Sequence, residues 1–254
     1  MLHATKGIVF HSVRYSETSV IVTIYTELFG IQSYLFKGVR SARSKIKPAL
    51  FQPLTLLDLV VYHKEKHALQ HVKEIHLAHP YQSIPFDIRK SSVALFINEL
   101  VYKTIREEEA NPDLFEFLWT TCMQLDETSE TVSSFHLFFS LQFCHFLGIF
   151  PLSNYSDQLR VFNLREGLFQ ASLPDHRQYL DHESSRLFFS LVESCSEYPA
   201  GNSETAKWRN SEIFLHMNAE TRDQLLETIL LYYRLHLPGF KGLQSHLILR
   251  DVMA

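Results

Sequence analysis

The first 80 residues carry five short stretches rich in Val, Ile, Tyr, Phe and Thr, at 6–15, 20–25, 31–37, 54–62 and 67–75, separated by polar or glycine-containing links. Each reads as a β-strand. Thr26-Glu27-Leu28-Phe29-Gly30 makes a hairpin of the second and third, and His63-Lys64-Glu65-Lys66 does the same for the last two. Five strands in so short a span leave no room for crossover helices. The stretch therefore predicts a small antiparallel barrel of the class that includes the OB-fold.

After His79-Pro80 and Pro85 the apolar period changes from two residues to about 3.6. This predicts a boundary at residue 80 and a helical domain over 81–254. Val93, Phe96, Ile97, Leu100, Val101 and Ile105 share a helix face that Ser91 or Ser92 would cap. Asn111-Pro112-Asp113 supplies a cap, a first-turn proline and a first-turn acid, opening a helix with Leu114, Phe117, Leu118 and Leu125 inward. Residues 135–147 are apolar almost all round, as for a helix in the middle of a bundle, and Gly148 with Pro151 ends them. Beyond lie a short hairpin near Phe162 and Phe169, a helix presenting Leu187, Phe188, Leu191, Val192 and Cys195, and a last helix capped by Asn218 that stops at Pro238-Gly239.

The net charge of −4 hides an asymmetry: residues 1–80 carry +5 and residues 81–254 carry −9. Within the basic part, Lys37, Arg40, Arg43, Lys45 and Lys47 fall in eleven positions without a carboxylate. A solvated loop is one reading of such a run. The other is a phosphate-binding loop, because Ser and Gly among the cations allow close backbone approach. Lys6 and Arg14 would add charge, and Tyr34, with Tyr15, Tyr25 and Phe36, would offer rings for stacking bases.

Other chemistry finds little support. No G-x-G pair occurs, which excludes the usual nucleotide phosphate loops, and Gly239-Phe240-Lys241-Gly242 reads as a helix-ending turn rather than a backbone clamp. His63, His67 and His71 stand four apart, but a strand-turn-strand pattern scatters them, so no metal site is expected. Asp175-His176 and Asp181-His182 have no serine in a glycine elbow beside them. No catalytic residue and no cofactor are expected. Cys122, Cys144 and Cys195 each sit among apolar residues, as buried thiols of a reducing compartment. With no long apolar run and no signal peptide, the expectation is a cytoplasmic protein.

Tyr15-Ser16-Glu17-Thr18-Ser19, Tyr25-Thr26 with Gly30, Lys37-Gly38-Val39-Arg40-Ser41, Ser44-Lys45 and Leu50-Phe51-Gln52-Pro53 together resemble the amino-terminal domain of RecO, the recombinational DNA repair family. Phe96-Ile97-Asn98-Glu99-Leu100 and Phe143-Cys144-His145-Phe146-Leu147-Gly148-Ile149-Phe150-Pro151 resemble its helical domain. The likeness covers residues 1–151 and is thin beyond. It implies a non-enzymatic mediator with an OB-fold and a helical domain that binds single- and double-stranded DNA and anneals strands. It also implies help in loading RecA onto strands coated by the single-strand-binding protein SSB, with RecR as companion. Many relatives carry two cysteine pairs after the Gly-x-x-Pro turn in a zinc-ribbon-like site, whereas 152–179 here contain none. The hairpin there is then expected to rest on apolar packing.

An apolar pocket with a cation at its rim would receive the acidic, apolar carboxy-terminal tail of SSB. Lys103 and Arg106, beside Leu100, Leu114, Phe117 and Leu118, are the candidates, with plain bundle core as the alternative. The rival functions are a general OB-type module for RNA or another polyanion and a small hydrolase built on the Asp-His pairs.

Overall fold

The computed structural model describes residues 1–39, 41, 46–64, 67–105, 109–197 and 217–253. Five strands form a closed barrel: β1 (Leu2–Arg14), β2 (Val20–Thr26), β3 (Gly30–Phe36), β4 (Leu56–Tyr62) and β5 (Gln70–Leu77), in the order β1-β2-β3-β5-β4. Pairing is antiparallel except where β3 meets β5, through Tyr34–Gln70 and Leu35–His71, in parallel. The chain between β3 and β4 crosses over and ends in a 3-10 turn, Pro48–Phe51, which permits that seam. Alternation along the strands sends Val9, Val22, Ile24, Tyr34, Phe36, Leu57, Leu59 and Val61 inward, the apolar burial that drives closure.

β1 is long because an irregularity between Val9 and His11 lets it pair with β2 on both sides of the break. At Gly7 a Cβ would lie 2.7 Å from Cγ2 of Ile24 and 2.9 Å from Cδ1 of Leu59, both buried branched side chains. Gly7→Ala is therefore expected to destabilise the fold by about 1–3 kcal/mol, the usual effect of overpacking, read as a lower denaturant midpoint.

By contact the chain divides after Thr128: Met1–Thr128 is one compact unit and Ser129–Ala254 the other. Two helices belong with the barrel, α1 (Ile88–Thr104) and α2 (Pro112–Glu127). Asn98 of α1 donates from Nδ2 to the Phe10 carbonyl at 3.0 Å, and Phe115 of α2 packs on Tyr25. The α2 cap is as the sequence predicts, with Asn111 Oδ1 accepting from the Leu114 N–H. The α1 cap is not Ser91 or Ser92. Asp87 caps it one turn earlier, while Ser91 and Ser92 donate to the carbonyls of Ile84 and Arg89.

A polar clasp joins the end of α2 to the segment before α1. The Asp126 carboxylate, on a residue only 3% exposed, accepts from the backbone N–H of Gln82, Ser83 and Ile84 at 2.8, 2.8 and 3.0 Å. Lys90, 6% exposed, donates from Nζ to Ser83 Oγ and to the carbonyls of Asp126 and Thr128 at 2.6, 2.8 and 2.6 Å.

The second unit holds α3 (Phe135–Phe146), enclosed as its composition predicts and ended at Gly148 with φ +68. A small sheet follows, β6 (Val161–Asn163), β7 (Leu168–Gln170) and β8 (Tyr179–Leu180), in the order β7-β6-β8. Then come α4 (His182–Ser194), α5 (Ala219–His236), capped by Asn218, and α6 (Ser245–Met253), which the sequence pattern did not suggest. All three cysteines are free and buried, and burial pushes each thiol up to about 12.

Candidate nucleic-acid interface

The cationic run begins where β3 ends. Gly38 takes φ +72, a conformation that glycine adopts without strain, and Ser41 closes the turn by donating to the Gly38 carbonyl from N at 3.1 Å and Oγ at 2.8 Å. The turn drops Val39 into the barrel core beside Phe36 and Phe51, and Ile46 and Leu50 pack on the same cluster beyond the run. Apolar anchors thus flank residues 40–45 on both sides. Lys37 and Lys47 stand exposed at the two ends of the run, while Arg40, Arg43 and Lys45 lie outside the described residues.

Strand register decides which other cations join them. Arg14 pairs with Val20, and Val20 with Phe36, so exposed Arg14 reaches the same end of the barrel as Lys37. The parallel seam pairs Tyr34 with Gln70 and Leu35 with His71, and exposed Lys73 follows two residues further along β5, toward the end at which β3 leads into Lys37. The sequence reading missed Lys73, because only the closure of β3 on β5 reveals it. Its ion pair with Glu74 is half exposed and binds it weakly.

Lys6 is not brought into this set. It pairs with Asp58 across β4, its carbonyl accepts from Glu27, and its Nζ lies 5.1 Å from the Trp119 ring centroid. Eight residues along β1, about 26 Å at strand rise, separate it from Arg14.

The aromatic platform is corrected too. Tyr34 is 0% exposed, and burial pushes its hydroxyl pKa up, so it offers no face to a base. Tyr25 and Phe36 are likewise core residues. The strands alternate, and the turn at Val39 needs Phe36 inward, which carries Tyr34 inward with it. Tyr15 alone of the four is exposed, at 62%, by the β1–β2 hairpin end.

The predicted tail groove is closed. Leu100, Leu114, Phe117 and Leu118 are all buried, because α1 and α2 spend these faces on the barrel and on each other. Lys103 is paired with Glu99 at 2.7 Å, and Arg106 lies outside the described residues.

Other candidates resolve into structure. Asp181 caps α4 through the Ser184 N–H, and His176 Nδ1 accepts from the Gln178 N–H. Gly239 and Gly242, with φ +86 and +88, turn the chain after α5 while Phe240 packs on Tyr233. His63 stacks on Phe29 with ring centroids 3.9 Å apart, and His71 pairs with Leu35 and Tyr62.

Where the resemblance implies zinc, the residues do not fit it. No thiol is present in 152–180, and no group of three or more His, Cys, Asp or Glu side chains converges among the described residues. The Asn154 amide clamps β7 instead, donating to the Phe169 carbonyl at 2.9 Å and accepting from its N–H at 2.8 Å. Phe162 packs on Phe169 and Phe188, and Ser185 Oγ accepts from the Phe162 N–H while donating to the Leu180 carbonyl. Apolar packing was foreseen here; the polar clamp was not. Elemental analysis of protein purified without chelators is expected to find no stoichiometric zinc, and chelator is expected to leave the melting temperature unchanged.

Comparison with known proteins bears on the whole chain. The family "Recombination protein O N terminal" matches residues 1–81 and "Recombination protein O C terminal" residues 85–156. Proteins named "DNA repair protein RecO" from Phocaeicola vulgatus and Bacteroides fragilis are 33% and 34% identical to it, over 100% and 99% of both chains. One of the same name from Flavobacterium psychrophilum is 34% identical over 98% of each. With a barrel of OB topology, a cationic crossover loop and full-length relatives of this kind, the chain belongs to the RecO family.

Proposed function

We propose that this chain is a non-enzymatic DNA repair and recombination mediator. It holds single- and double-stranded DNA on the loop 37–47 with Arg14 and Lys73 beside it, anneals complementary strands, and assists RecA loading on SSB-coated DNA. The barrel, residues 1–80, is the DNA-binding part, and the acidic residues 81–254 carry the surfaces for RecR and the SSB tail.

The observation that carries this reading is the pair of anchors, Val39 on one side and Ile46 and Leu50 on the other, that flank a cationic stretch of the sequence and leave Lys37 and Lys47 exposed. Burial of Tyr25, Tyr34 and Phe36 supports a further point. Without a wide stacking platform the interface reads phosphates rather than bases, and phosphates are common to single and double strands. Such a surface can keep hold of a strand while it becomes a duplex.

The test combines binding with assembly. Affinities for single-stranded DNA, duplex DNA and RNA of equal length are expected to fall together with salt, and annealing of complementary oligonucleotides is expected to accelerate. Pull-downs with RecR and SSB, with and without DNA, should retain both proteins. Preference for RNA without annealing would support the general polyanion module instead.

A further inference from the structure

Next to the DNA-binding loop lies an apolar groove that the proposed function does not use. Its volume is about 560 Å³, and Leu50, Leu54, Tyr81, Ile84, Ala94 and Leu95 are among its walls. Several of its polar groups are already committed: the Tyr81 hydroxyl donates to the Leu54 carbonyl at 2.6 Å, Ser91 Oγ to that of Ile84, and His79 pairs with Asp126. What the groove offers a ligand is therefore apolar surface.

Beside the groove stands an apolar projection. The chain leaves the groove at Pro85 and next presents Phe86, 84% exposed, then Ile88, 70% exposed. Ile88, Ser91 and Leu95 follow one another on one face of α1, so the projection and the groove wall form a continuous surface. Asp87 and Arg89, both exposed, flank Ile88 with opposite charges.

We propose that this surface pairs two copies of the chain about a two-fold axis, with Phe86 and Ile88 of each copy entering the groove of the other. A two-fold contact requires one patch to carry both knob and hole and to be complementary to itself in charge. Here the knob adjoins the hole, and Asp87 of one copy meets Arg89 of the other in both directions. Two exchanged aromatic side chains with their facing walls cover roughly 600–1,000 Å² in total. Ile88, Leu77 and Leu95 extend this to about 1,200 Å², the lower bound of a specific interface.

The pairing gives the proposed DNA binding a geometry, and in this respect it rests on that reading. Ala49 and Leu50, which line the groove, follow directly on exposed Lys47. Pairing two grooves brings two cationic loops to the same interface. Their repulsion weakens the dimer in low salt, and a nucleic acid lying across both loops relieves it. Strands held by two copies are thereby placed side by side.

Sedimentation velocity of the full chain, with and without oligothymidylate at low and high salt, tests the pairing, and anisotropy of labelled oligonucleotide reads DNA binding separately. The parent is expected to dimerise with increasing concentration, more readily in high salt when alone and in low salt when the oligonucleotide is present. Phe86→Asp, which removes the knob, and Leu95→Glu, which charges the hole, should each raise the dimer dissociation constant about thirtyfold or more, the effect of losing a hot spot. Both positions are exposed, so circular dichroism should show an unchanged fold. A mixture of these two variants restores one knob-in-hole contact per dimer and should recover part of the association, whereas Arg89→Glu should weaken pairing most in low salt. Each dimerisation variant should still bind oligonucleotide, with the affinity of the unpaired parent at low protein concentration and more weakly than the parent where the parent pairs, and should anneal strands more slowly.

A parent that stays monomeric under all four conditions, a Phe86→Asp variant that dimerises like the parent, or a mixture without recovery overturns the proposal. So does a groove that takes up another protein while the chain remains a monomer. A dimer that fails to bind DNA leaves the pairing standing and overturns the function proposed above, and a DNA-binding monomer does the reverse.

Discussion

Replacing Asp126 by alanine is expected to destabilise residues 1–128 by about 3–5 kcal/mol, the range found when one partner of a buried charged cluster is removed. Three backbone N–H groups and Ser83 Oγ converge on this carboxylate. Alanine leaves the three backbone N–H groups without their acceptor in a place closed to water, while the bonds of Ser83 Oγ and Lys90 Nζ to the carbonyl of residue 126 remain. Desolvation pushes the Asp126 pKa up, but hydrogen bonds from Gln82, Ile84 and Ser83 and from His79 outweigh it, so the pKa lies below the ordinary carboxylate value. The sign follows from linkage: a depressed folded pKa gives stability that is complete above about pH 4, the unfolded value, and is lost as pH falls through the folded one. Urea titrations from pH 7 downward measure both effects, and Asp126→Ala should flatten the acid limb. A loss below about 1 kcal/mol would show that water takes over the carboxylate's bonds and that the clasp is incidental.

Changing Arg40, Arg43 and Lys45 together to alanine should flatten the salt dependence of single-strand binding by roughly two logarithmic units, at about 0.7 for each phosphate contact. At 50 mM salt that slope corresponds to a loss of affinity of roughly several hundredfold, which shrinks toward nothing near molar salt. The convergence separates lost phosphate contacts from damage to the fold, which would lower affinity at every salt concentration. Lys6→Ala supplies the control. Its ammonium sits over Trp119 near Asp58 and Glu27, away from the loop, and the slope should not change. Equal affinity of the triple variant and the parent throughout would reduce the loop to a solvated surface.

The strands were legible because half-buried β-structure writes its period into the chain, and Asn111-Pro112-Asp113 was legible because a cap is local chemistry. Face assignment within a strand was harder. Ile31, Tyr34, Leu35 and Phe36 put apolar residues on both faces of β3, so only the inward turn at Val39 decides that Tyr34 is core. Periodicity likewise placed Leu100, Leu114 and Phe117 on helix faces but could not say whether those faces were covered. The Asp126 clasp joins positions more than 40 apart, and the pairing of β3 with β5 that directs Lys73 toward the end of β3 depends on barrel closure. No linear pattern encodes either.

The clasp also bears on how the protein emerges from synthesis. The strand that closes the barrel ends at Leu77, yet the carboxylate that secures the following segment is supplied by Asp126, and Asn98, Phe115 and Trp119 cover barrel residues in between. A nascent chain with only its strands exported from the ribosome would thus show water the surface around Phe10 and Tyr25, and would hold residues 82–84 with no acceptor for their amides. The first unit becomes complete some 50 residues of translation later. For anyone cutting the gene, an 80-residue fragment ends where the alternating pattern ends, whereas a 128-residue fragment ends where the hydrogen bonds do.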